Sequence, residues 1–429
     1  MLPRTIASWV CQALKRRPYL TYTYTLPGYK RLLQSAQLRP VDVFYPIPSY
    51  REPASIFPAN APNALGYASS FVPQPWKRTL LSLIVRARLD RMFVPTFGIV
   101  AQRDGSATSY RLGAARRALE AAIQKLRVDH WAVQQSAIVK IRTRGDAQGS
   151  AAFAVFPRGS QVPSLYLQQS RRPRERLLAP AYNKQLSIRE RISHRPELLE
   201  SAILPLFYDE HTDSMVFQAA VGDKLSARKS RVSDKATLWQ IMSWLAHFHD
   251  ATHERTTLTT APAFREAING ECSLFLRRPE RHAYRLSLEA AMASLLEDRG
   301  NLDKVQFSTI HGDFNPYNIV LGQDRIFVID FDDSQHPQLA VYDLLHFVAV
   351  SSVILQGRDR LNRKLLAIAV HSYNRHTSVP ISQRFLRRMI PFYFVWVINR
   401  ESARGAEASK RLIKRWEKAL ERSLTRGRP

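Results

Sequence analysis

The sequence predicts an α+β protein of two lobes, strand-rich then helical, preceded by an N-terminal extension. Three observations carry this. Period-two apolar alternation is concentrated between residues 129 and 222. Apolar residues at helical spacing fill most of the chain from 223 to 429. One segment, Phe307 to Asp333, interrupts those helices with a strand–loop–strand pattern. A chain of 429 residues, 45% of them hydrophobic, is ample for more than one core.

Residues 1–128 read as the extension. A basic amphipathic stretch, Ile6–Leu14, comes first. The segment Val41–Pro53 is too rich in proline for a long helix. Helices are expected at Trp76–Arg91 and Ala114–Leu126, around a strand at Phe97–Ala101.

Residues 129–222 read as the strand-rich lobe. Ala137–Arg142 and Ala151–Phe156 form a hairpin whose tip carries Gly145, Gly149 and Ser150. Strands follow at Ser164–Gln168, Ile203–Tyr208 and Met215–Ala220. A helix is expected over Pro180–Ile192, with its proline in the tolerant first turn.

Residues 223–429 read as the helical lobe. Asp234 is a suitable N-cap for a helix over Lys235–His249. Leu238, Ile241, Met242, Leu245 and Phe248 make its apolar stripe. Further helices are expected at Ala261–Asn269, Pro279–Leu296, Leu344–Ile354, Arg363–Arg375, Gln383–Asn399 and Ala406–Ser423.

The net charge of +27 sets the chain apart, and arginine far outnumbers lysine. Such a surface attracts anions: nucleotides, nucleic acid or an acidic membrane face. No zinc-finger spacing or RNA-recognition signature is present, so nucleic acid is not the expected partner. Contact with an anionic membrane surface is compatible with the charge, and a polycationic substrate is disfavoured. Cys11 and Cys272 stand alone, which excludes a zinc motif or disulfide framework. The N-terminal stretch lacks a signal peptide's order, and the apolar runs Phe347–Leu355 and Met389–Ile398 are too short to span a bilayer. A cytoplasmic protein is expected.

The chemistry-bearing string is Ile310-His311-Gly312-Asp313-Phe314-Asn315-Pro316-Tyr317-Asn318, followed by Ile326 to Ile329 and Asp330-Phe331-Asp332-Asp333. Phosphoryl transfer needs a carboxylate near the attacking hydroxyl and hard oxygen ligands for Mg²⁺. Asp313 and Asn318 lie five residues apart in a loop, and Asp330 follows a buried strand that can hold it rigidly.

This string resembles the active-site loop of the aminoglycoside phosphotransferase and choline kinase superfamily, over about residues 129–400 and most sharply at 310–343. The resemblance implies a bilobal protein-kinase-like fold that uses ATP and Mg²⁺. It implies Asp313 as catalytic base or hydroxyl orienter, His311 as the residue holding the catalytic loop, and Asn318 and Asp330 as metal ligands. Asp343 is similar to the family's buried helix-start aspartate, and Leu245–His249 to its Leu-Ala-x-Leu-His. The segment Phe217–Leu225 looks like the hinge, with Ala219 and Val221 placed to bind adenine through backbone groups. Gly145, Gly149 and Ser150 would cover phosphates.

The chain departs from the family where the third strand ends in Gln168 rather than lysine. Lys184, on the following helix, is the candidate replacement cation. The same departure motivates a competing reading, a non-catalytic nucleotide-binding pseudokinase or scaffold. His247, His249 and His253 do not make a metal set: the first two diverge on a helix, and no third ligand is evident. The aromatic residues of 382–400 read as helix core. Phe44–Tyr50 and Phe93–Val100 faintly resemble the tail of methyltransferases of surface-glycan synthesis, but no cofactor loop accompanies them. The expected reaction is phosphorylation of a small-molecule hydroxyl. Sugars or glycan precursors are preferred, with an amino alcohol as the alternative.

Overall fold

The computed structural model describes residues 26–47, 55–58, 75–86, 98–103, 118, 120–121, 137–141, 150–157, 160–227, 229–253, 260–297, 305–404 and 407–425. The chain folds as two compact units. One comprises Met1–Tyr182 and Pro205–Ala219, the other Asn183–Leu204 and Ala220–Pro429. Boundaries at 128 and 222 were expected. The units divide elsewhere, because strands before 128 join the later sheet and residues 183–204 group with the helices.

The first unit is built on an antiparallel sheet. Its strands are β1 (Leu38–Ile47), β2 (Ser55–Pro58), β3 (Gly98–Arg103), β4 (Ala137–Ile141), β5 (Ser150–Phe156), β6 (Leu165–Ser170), β7 (Pro205–Asp209) and β8 (Ser214–Gln218). They lie in the order β3-β1-β2-β4-β5-β6-β8-β7. The β4–β5 and β5–β6 pairings follow from alternation: Val139 pairs with Ala154, and Phe153 with Leu167. Phe153, Leu167, Phe207 and Val216 close into one buried cluster. Strands β1 and β2 were not expected, because proline cannot donate to a ladder. A register shift between Pro40 and Asp42 accommodates the first proline of β1.

The second unit is mostly helical. Helix α1 (Lys235–Ala251) begins where expected, with the Asp234 carboxylate accepting the Thr237 N–H at 3.0 Å. Its five stripe residues are all fully buried. Helix α2 (Val341–Ala349) runs into a π-turn at Val350–Leu355. Helix α3 (Gln383–Ala403) starts at the Ser382 cap and is buried on nearly every side from Phe392 to Ile398. An all-round apolar helix belongs in a core rather than at a surface. Between α1 and α2 run the short strands β10 (Phe307–Ile310), β11 (Ile319–Leu321), β12 (Ile326–Val328) and β13 (Gln335–Leu339). β10 pairs with β13, and β11 lies between β12 and β9 (Asp223–Lys224).

Candidate active site

The β10–β11 connection is a loop folded on its own side chains. Gly312 has φ +78°, and a Cβ there would meet the Asp333 carbonyl oxygen at 2.1 Å. Only glycine fits both the backbone and the approach. Asp343, in the first turn of α2, accepts the N–H of His311 at 2.6 Å and of Gly312 at 2.9 Å. His249 backs Asp343 at 3.2 Å and meets the Tyr373 hydroxyl at 2.9 Å, so its ring serves the loop.

His311 holds the loop from within. Its Nδ1 accepts the Asp313 N–H at 3.2 Å, and its Nε2 donates to the Ile329 carbonyl at 3.0 Å. Asn318 donates from Nδ2 to the Asp313 carbonyl at 3.0 Å and to its Oδ2 at 2.9 Å. Asp313 and Asn318 are thus brought together as their spacing predicted.

The other carboxylate oxygen, Asp313 Oδ1, is met by residues the sequence reading missed. His346 Nε2 donates to it at 3.0 Å and Arg400 Nη2 at 3.1 Å. The Tyr393 hydroxyl donates to His346 Nδ1 at 2.9 Å, which orients the ring. Burial raises the Asp313 pKa. The His346 hydrogen bond and the Arg400 charge outweigh it and hold the carboxyl well below the usual range. Burial, with the Arg400 charge, lowers the His346 pKa and favours the neutral ring.

Asp330 ends the β12 segment with φ +69°, a conformation that aspartate tolerates better than most residues. Its pKa is pushed up to about 7, first by burial and then by the charges of Asp332, Asp313 and Asp333. Lys224, on β9, opposes that rise and is the nearby cation the sequence reading did not single out. Lys184 donates to the Asp332 carbonyl at 2.6 Å, and Gln185 to the Asp332 carboxylate at 2.8 Å.

The other candidate residues fare differently. Gly145 and Gly149 lie outside the described residues. Ser150 is buried on β5 opposite Ser170. The Ala219 N–H donates to the Ser164 carbonyl at 2.9 Å and is already satisfied. Val221 is exposed. Gln168 sits in the middle of β6, paired with Ala152 and Met215. Among the described residues, no helix is long and apolar enough to cross a membrane.

The "Phosphotransferase enzyme family" model matches residues 205–367, the span holding the whole loop and α2. No curated protein matches. Among solved structures, the chain is similar to an aminoglycoside phosphotransferase from Alicyclobacillus acidocaldarius, at 14% identity and a TM-score of 0.44, over 67% of this chain and 90% of that one. It is similar to the Plasmodium vivax ethanolamine kinase, at 15% identity and 0.44, over 70% and 84%. A choline kinase from Streptococcus pneumoniae gives 14% identity and 0.41, over 72% and 98%. These likenesses are remote. The family match falls on the segment that carries the loop and α2. The match is to a phosphotransferase family, the kind of family that the loop led one to expect.

Proposed function

We propose that the chain transfers the γ-phosphoryl of ATP, with Mg²⁺, to a hydroxyl of a small molecule such as a sugar, a glycan precursor or an amino alcohol. The observation that carries this is the Asp313 carboxylate, gripped at Oδ2 by Asn318 from its own loop and at Oδ1 by His346 and Arg400. A carboxyl of such low pKa is a weak base. It suits an orienter that accepts a hydrogen bond from the attacking hydroxyl, which is sufficient for a loose phosphoryl-transfer transition state. The hydroxyl oxygen attacks the γ-phosphorus, the bond to the β-phosphate oxygen breaks, and ADP leaves.

The donor chemistry suits magnesium. Asn318 uses its amide nitrogen on Asp313, which leaves its carbonyl oxygen for a ligand. Asp330 lies among carboxylates whose mutual repulsion a divalent cation relieves. These two residues would hold the ion, which neutralises phosphate charge when bound. Lys184 at Asp332 is the candidate nucleotide cation.

Gln168 favours a second reading, nucleotide binding without transfer. One experiment separates the two. A metabolite screen for ATP-dependent phosphorylation, with Asp313→Asn as control, should give activity lost by about 10²-fold or more in the variant. Nucleotide binding with no turnover on any acceptor would favour the second reading.

A further inference from the structure

Arg400 carries more than its contact with Asp313 explains. The side chain is 10% exposed, at the end of α3. Its Nη2 donates to Asp313 Oδ1 at 3.1 Å and to Glu401 Oε1 at 3.2 Å. Nε and Nη1 are buried and have no hydrogen-bond partner among the described residues. Nε carries one N–H and Nη1 two, and buried donors left unpaired are costly. The neighbouring acids do not reach them. Glu401 is shared with Arg404 Nη1 at 2.6 Å, and Asp333 is paired with Arg404. The guanidinium also lies over the Trp396 ring, 5.0 Å from its centroid, a further contact that helps hold it beside Asp313.

The side of Asp313 on which Arg400 lies matters. Asn318 addresses Oδ2, whereas Arg400 and His346 address Oδ1. If Asn318 is a metal ligand, Oδ2 belongs to the metal side, and Arg400 lies at the other oxygen of the carboxylate. We infer that the free N–H groups of Arg400 receive an oxyanion, phosphate or carboxylate, borne by the acceptor beside the hydroxyl that is phosphorylated. This rests on the phosphotransferase reading and narrows its substrate to an anionic hydroxy compound. The choice agrees with the net charge of +27, which gathers anions and repels polyamines.

The test uses the full chain with Mg²⁺–ATP and acceptors in matched sets. Each set holds a neutral sugar, its amino form, its uronic acid and its monophosphate. The anionic members should be the better acceptors, and whichever of acid or phosphate leads identifies the oxyanion. Arg400→Gln should raise the KM for that acceptor about 10- to 100-fold, the worth of charge-assisted hydrogen bonds, while the KM for ATP moves little. Neutral or amino members leading, or an equal fall in kcat with every acceptor, overturns the inference. A binding arm does not need turnover. With Mg²⁺–ADP bound, inorganic phosphate should raise the thermal midpoint of the wild type and raise it less in Arg400→Gln and Arg400→Lys. If phosphate has no effect on the wild type, or the same effect on all three, the inference fails. Loss of all acceptor turnover while phosphate still binds through Arg400 would instead count against the phosphotransferase reading.

Discussion

The segment His311–Asp333 and the helix Gln383–Ala403 both place a donor on Asp313, but over different spans of chain. Asn318 reaches it from five residues away. Arg400 reaches it from 87 residues away, and His346 from 33. The near contact is a property of one loop's spacing. The far ones exist only after helices pack, and they lower the carboxyl pKa against the effect of burial.

The largest effect should come from removing what anchors the loop. Asp343→Ala leaves two backbone N–H groups and His249 without their buried partner, and should cost about 3–5 kcal/mol in urea unfolding together with the activity. If stability held, the loop would be self-sufficient and the contrast between near and far support would fail.

A smaller change isolates the far side. His346→Phe keeps a ring but cannot donate to Asp313. The hydrogen bond lowers the Asp313 pKa, so its loss moves that pKa up. The acid limb of kcat/KM should therefore shift to higher pH, with a stability loss of about 1–3 kcal/mol as the Tyr393 hydroxyl loses its acceptor. An unmoved limb would leave Arg400 as the sole far influence.

The smallest effect belongs to Lys184, which is exposed. Lys184→Ala should raise the KM for ATP by about 5- to 10-fold, a modest loss for a solvent-screened cation. An unchanged KM would reduce it to a bond with the Asp332 carbonyl.

The same contrast explains what could be read from the chain. The contact between Asp313 and Asn318 was legible because it lies within one loop's spacing, Asp343 only through the resemblance, and α1 because its cap and stripe agree. Arg400 was not. In a chain so rich in arginine, one more at the end of a helix carries no signal, and its burial follows from α3 being enclosed on all sides. Tyr393 and Trp396 were read as core, which they are, yet each also orients a group at Asp313. Lys224 was hidden in the hinge, because its effect on Asp330 comes from β9 pairing with β11. Strands β1 and β2 were obscured by proline, which weakens the alternation that identifies a strand.

The pairing of β2 with β4 has a practical side. Ser55 and Ile56 lie against Ile141 and Lys140, so residues before 128 cap a ladder that would otherwise end at β4. A shortened chain begun at residue 129 would present that row of N–H and C=O groups to solvent, an open template for other strands. What resembles a dispensable leader is then part of what keeps neighbouring molecules from sticking together.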